Sequence, residues 1–151
     1  MKIGIGSDHG GVDLKQVVAD YLASRGVEVV DYGTDTADSV DYPDFGEKVA
    51  EAVASGEVNA GVVLCGTGIG ISIAANKVPG IRAALVTDPF MARMAKEHND
   101  ANVLALGGRV ISPESARQMV GAWLDATFEG GRHQRRLDKI TQIEQKYRHR
   151  S

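Results

Sequence analysis

The chain has 151 residues, 43% of them hydrophobic and 25% charged, with 18 glycines, 5% aromatic residues and a formal net charge of -3. That length suits one domain over 1–151 with a real core, the charge argues against general nucleic-acid binding, and no apolar run approaches the roughly 18 residues of a membrane span. The single cysteine excludes an internal disulfide, and with no recognisable signal peptide the expected location is the cytoplasm.

The first apolar run, 2–7, reads as a strand ending in small residues. A helix over 13–25 follows, with Val17, Val18, Tyr21 and Leu22 on one face. Gly26 stops it, and the short β-branched run 27–31 predicts a second, parallel strand. The acidic stretch 32–44 is too long for a simple connector and is expected to face a ligand or a partner. A helix over 45–55 leads through Gly56 to the central strand, Ala60 to Cys65. That strand runs directly into Gly66-Thr67-Gly68-Ile69-Gly70 and a helix over 71–76. A fourth strand is expected at 82–86. Asp88-Pro89 then caps a helix over 90–97, a fifth strand occupies 102–106, and Ser112-Pro113 caps a helix running to about 128. Gly130-Gly131 breaks that helix before a terminal one over 133–148. Its stripe of Leu137, Ile140, Ile143 and Tyr147 needs something to lie on.

This alternation predicts a three-layer α/β/α sandwich, a Rossmann-like five-stranded parallel sheet with a C-terminal helical extension. Right-handed crossovers gather the loops 7–11, 32–44, 65–70, 87–89 and 107–109 at the carboxyl edge of the sheet, where such folds bind ligands. A dinucleotide site is opposed by two details: Asp8 would meet the pyrophosphate with like charge, and neither glycine cluster completes the fingerprint.

The loop after Cys65 carries the chemistry. Closely spaced glycines bring bare N–H groups up to a ligand, and a helix N-terminus favours negative charge. A thiol in that setting ionises more readily than a free one and can serve as a base or nucleophile, although a lone cysteine is also a common small core residue. Other residues carry the same two-sided reading. Asp8 serves equally as a helix cap, and His98-Asn99-Asp100 as a helix terminus with favourable dipole contact. Arg132 and Arg136, one turn apart, either grip one phosphate or sit in solvent, and Arg109 in its glycine loop is equally open.

Taken together, Ser7-Asp8-His9-Gly10, Asp41-Tyr42-Pro43, the run from Cys65 to Lys77, His98-Asn99-Asp100, Gly107-Gly108-Arg109 and the run from Glu129 to Arg136 resemble the ribose/galactose-6-phosphate isomerase family, nearly end to end and on its type B ribose-5-phosphate branch. The resemblance implies an aldose–ketose isomerase of carbohydrate metabolism and the pentose phosphate pathway, needing no metal or other cofactor. It implies Cys65 as the base between carbons 1 and 2, with Thr67 beside it and His98 as the ring-opening acid. Asp8 and Tyr42 would contact the sugar, and Gly66, Thr67, Gly68, Ile69, Gly70 and Asn99 the enediolate. His9, Arg109, Arg132 and Arg136 would hold the phosphate. A branch that uses a glutamate at the position of Ile71 is set aside, since this chain has cysteine and isoleucine. Family members form dimers or pairs of dimers with sites shared between subunits, which makes the helix over 133–148 a natural arm across the interface. Two alternatives remain open: a six-carbon substrate such as allose or galactose 6-phosphate, and a non-catalytic phosphosugar-binding module.

Overall fold

The computed structural model describes residues 1–148; the last three residues of the expected domain lie outside the described residues. Its strands are β1 (Lys2–Ser7), β2 (Glu28–Asp31), β3 (Ala60–Cys65), β4 (Ala83–Leu85) and β5 (Val103–Gly107). The helices are α1 (Val12–Ser24), α2 (Tyr42–Ala54), α3 (Ile69–Ala75), α4 (Pro89–Glu97), α5 (Pro113–Asp125) and α6 (Arg132–Arg148), with a short 3-10 turn at His9–Gly11. All strands are parallel, in the order β2-β1-β3-β5-β4.

That order decides the layers. The steps from β1 to β2 and from β4 to β5 run one way along the sheet, and the steps from β2 to β3 and from β3 to β4 run the other. Right-handed crossovers therefore put α1 and α4 on one face and α2 and α3 on the opposite one. The packing agrees: α5 lies against α1 and α4, and α2 against α3. Alternation along the strands feeds two cores. Ile3, Ile5, Val62, Leu64, Leu104 and Leu106 pack with α1, α4 and α5, while Val63, Cys65, Val103 and Ala105 pack with α2 and α3.

The elements depart from the expected boundaries where local chemistry takes over. Helix α2 starts at Tyr42, three residues early, because Pro43 occupies its first turn after the extended Asp41. Helix α5 stops at Asp125, not near 128, since Ala126 turns extended and the chain leaves to meet the end of α4, where the Glu129 N–H donates to the Glu97 carbonyl at 3.0 Å. In α6 only His133 and Leu137 are buried. Ile140 and Ile143 face out, beside a groove of 760 Å³ lined by Ile81, Ala83, Ala84 and the α6 stripe. No described helix is long and apolar enough to cross a membrane.

Candidate active site

Parallel register brings three loops together at the carboxyl edge. Cys65 pairs with Gly107 across β3 and β5, and Ser7 with Leu64 across β1 and β3. Asp8, whose N–H donates to the Leu64 carbonyl at 3.2 Å, therefore follows directly beside the cysteine. Gly108 N–H donates to the Cys65 carbonyl at 2.8 Å and Arg109 N–H to the Gly66 carbonyl at 2.9 Å, so the loop carrying Arg109 is tied to the cysteine loop. The loops lie too close for side chains: a Cβ on Gly108 would sit 2.5 Å from the Gly10 carbonyl oxygen.

Cys65 is buried, and its Sγ accepts the Gly68 N–H at 3.2 Å. This backbone donor holds the sulfur at the mouth of α3. Gly68 makes the turn possible with φ of 81° as the residue before α3. An alanine there would be strained by its backbone and would place a Cβ 2.7 Å from Leu85 and 2.9 Å from the Leu106 backbone. Gly68→Ala is expected to cost about 2–4 kcal/mol of stability, measured by urea unfolding.

Within the loop the donors are divided. The Gly68 N–H serves Sγ and the Ile69 N–H serves Thr67 Oγ1 at 3.2 Å. Among the described residues this leaves the N–H groups of Gly66, Thr67 and Gly70 without a hydrogen-bond partner. Tyr42 lies over Gly70. Asp8 Oδ1 accepts the Gly10 N–H at 2.9 Å, a cap that fills with a carboxylate the turn where a dinucleotide fold receives phosphate. His9 Nδ1 accepts the Val40 N–H at 3.2 Å. That bond fixes the tautomer: Nδ1 is bare, and Nε2 carries the proton and is free to donate.

The link through Val40 depends on a residue that sequence reading passed over. Lys15 on α1 is buried, and its Nζ meets both Asp31 oxygens at 2.8 Å and Asp35 at 3.1 Å. A buried lysine among aspartates staples the base of the 32–41 segment, which in turn holds His9. The signal was a lysine on the apolar side of a helical pattern opposite a strand-terminal aspartate.

The structure does not bring His98, Asn99, Arg132 and Arg136 to this edge. His98 closes α4, which runs from the carboxyl edge of the sheet to its amino edge, just before β5 begins. It stacks on His133 of α6, with ring centroids 4.2 Å apart and planes 14° apart. The two groups of expected site residues thus occupy opposite ends of the sheet, separated by the length of its strands, roughly 15 Å or more.

A Rossmann-like sandwich with a thiol-bearing, donor-rich loop in place of a nucleotide fingerprint defines a narrow class of protein. A family model described as Ribose/Galactose Isomerase matches residues 3–140; the chain belongs to this family. It is 52% identical to ribose-5-phosphate isomerase B of Escherichia coli over 96% of this chain and 97% of that one. The solved ribose-5-phosphate isomerase B of Clostridium thermocellum superposes with a TM-score of 0.96 at 65% identity, covering 97% of this chain and 99% of the other. The enzyme of Mycoplasma genitalium, solved with bound ribulose-5-phosphate, gives 0.91 at 43% identity over 95% and 96% of the two chains.

Proposed function

We propose that this protein interconverts ribose 5-phosphate and ribulose 5-phosphate, with Cys65 as the base. The observation that carries the reading is the Cys65 sulfur held by the Gly68 N–H at the mouth of a loop with open donors. In the open-chain aldose the thiolate takes the proton from carbon 2. The electron pair forms the carbon 1–carbon 2 double bond, and the carbonyl oxygen becomes the enediolate oxygen. In this reading the N–H groups of Gly66, Thr67 and Gly70 stabilise that charge, as preorganised donors do at any developing oxyanion. The proton of the carbon 2 hydroxyl passes to oxygen 1, and returning the Cys65 proton to carbon 1 as oxygen 2 becomes the carbonyl completes the ketose. Ring opening precedes this: His98 gives a proton to the ring oxygen as its bond to carbon 1 breaks, and the anomeric hydroxyl passes its proton to the Asp8 carboxylate. His9 and Arg109 hold the phosphate from the Cys65 end.

His98, Asn99, Arg132 and Arg136 take part only from a second copy of the chain. Their separation from Cys65 within one chain supports a homodimer whose two sites each combine the Cys65 end of one copy with the His98 end of the other. The exposed apolar side chains support it too: Ile69, Ile73, Phe90 and Val110 ring the carboxyl edge, and Ile140 and Ile143 line α6. In this arrangement α6 is the arm across the interface, a second pairing of dimers is compatible with it, and the cytoplasm is the natural setting.

A coupled assay tests the reading directly. Ribose 5-phosphate is expected to turn over, with solvent deuterium entering the sugar in heavy water; binding without exchange would leave only a phosphosugar-binding module. The family's galactose branch keeps a six-carbon substrate as the second reading, and a higher kcat/KM for allose or galactose 6-phosphate than for ribose 5-phosphate would select it.

A further inference from the structure

The segment after α5 is built to bring a carboxylate and a second imidazole to His98. The Glu129 N–H is held by the Glu97 carbonyl at the end of α4. Gly130 and Gly131 both adopt left-handed backbone, with φ of 70° and 56°, which reverses the chain so that α6 starts back over His98. Glu129 Oε1 then lies 3.3 Å from His133 Nε2 and 3.9 Å from His98 Nε2, one oxygen between two imidazoles. The His133 side chain is only 6% exposed. Its Nε2 has no well-formed hydrogen bond despite that approach, so it has an unmet partner in the direction of the carboxylate. Burial first, then the charges of His98 and Arg132, lowers the His133 pKa below the ordinary imidazole value; Glu129 opposes this and Arg136 adds to it. The His98 ring lies flat against this buried ring. The three donor atoms lie within 4.8 Å of one another, as a divalent cation would need. The nearly parallel rings oppose that use, because an ion in the plane of one imidazole is carried out of the plane of the other.

We propose that Glu129 and His133 are positioning residues for His98, the buried ring fixing its plane and the carboxylate placing a negative charge beside the imidazole that must carry the ring-opening proton. The proposal rests on the isomerase reading above. Glu129 touches no substrate in it; its effect passes through His98. In the step served, the His98 proton goes to the ring oxygen as the carbon 1–oxygen bond breaks, and the hydroxyl proton leaves to Asp8.

Substrate chemistry separates this role from a structural one. Ribose 5-phosphate closes to a furanose through oxygen 4. Ribulose 5-phosphate cannot close, because the hydroxyl that would form its ring bears the phosphate. Exchange of a carbon 1 hydrogen of ribulose 5-phosphate with heavy water therefore needs Cys65 and the enediolate but no ring opening. In the full-length Glu129→Gln protein, kcat for ribose 5-phosphate is expected to fall about tenfold or more, a share of the ~10²–10⁴ that a positioned acid contributes, while the ribulose exchange rate stays within about twofold. Glu129→Asp should recover part of the loss. Equal loss in both measurements, or loss in neither, overturns the positioning role. A wild-type protein that neither turns over ribose 5-phosphate nor exchanges ribulose 5-phosphate overturns the isomerase reading itself, and this inference with it.

Discussion

Cys65→Ala is expected to abolish turnover and solvent exchange together, each by on the order of 10³-fold, while substrate still binds within a few-fold of wild type. The two activities fall together because both pass through the same proton removal. Binding survives because the phosphate contacts assigned to His9 and the arginines do not involve the sulfur. The fold also survives. The sulfur sits among Val49, Ala50, Val63 and Ile71 in the core against α2 and α3, and losing one small buried atom there costs about 1 kcal/mol. The Gly68 N–H loses its acceptor, so Cys65→Ser, which restores an acceptor but not a comparable base, is the informative companion. Serine should keep the loop and still lose exchange. The check is deuterium incorporation followed by NMR, with binding by calorimetry on the same samples. Turnover retained in the alanine variant would move the base to another residue.

This prediction concerns the part of the molecule that was most legible in the sequence. The apolar run ending at Cys65, with its alternating glycines, fixes a strand, a turn and a helix start by local chemistry alone. The same holds for Asp88-Pro89 and Ser112-Pro113, whose side chains accept from Met91 N–H and Ser115 N–H in the expected caps. What periodicity does not carry is how chain segments meet. The helical pattern through 126–128 is overridden by the docking of Glu129 on α4, and the roles of Glu129 and His133 depend on that docking. That the expected site residues fall at two ends of the sheet was partly readable. A residue that closes a strand and one that closes the helix before a parallel strand lie at opposite sheet edges, so Cys65 and His98 could not share one edge of a single copy. Lys15 was harder, because a lone lysine in an amphipathic pattern is ordinarily a solvated stem, and its place on the apolar side is a weak signal until the pairing with Asp31 and Asp35 is seen.

Two inactive proteins are expected to make an active one when mixed. If each site joins the Cys65 end of one copy to the His98 end of another, Cys65→Ala disables one half of the site, and Arg132→Ala with Arg136→Ala disables the other. Either variant alone carries two damaged sites. A dimer with one chain of each kind places both kinds of lesion in one site and leaves the other site wholly wild type. Random re-pairing after mild denaturation and refolding makes half the dimers mixed, so activity should return to about a quarter of wild type, from two preparations that are nearly inactive separately. The arithmetic depends only on two-fold symmetry and not on which residue is the acid. The arginine variants should themselves show a raised KM more than a lowered kcat, since two guanidiniums on one phosphate act mainly in binding, so the mixing assay uses ribose 5-phosphate well below that KM, where they are nearly inactive. Tagging the two chains differently and isolating the mixed dimer sharpens the test, because that species alone should hold about half of the wild-type rate. If the mixture stays at the sum of its parents, the site lies within one copy. The roughly 15 Å or more between Cys65 and His98 would then have to be closed by a movement of α4 and α6, although Ala92 of α4 packs in the core and Leu137 of α6 is buried.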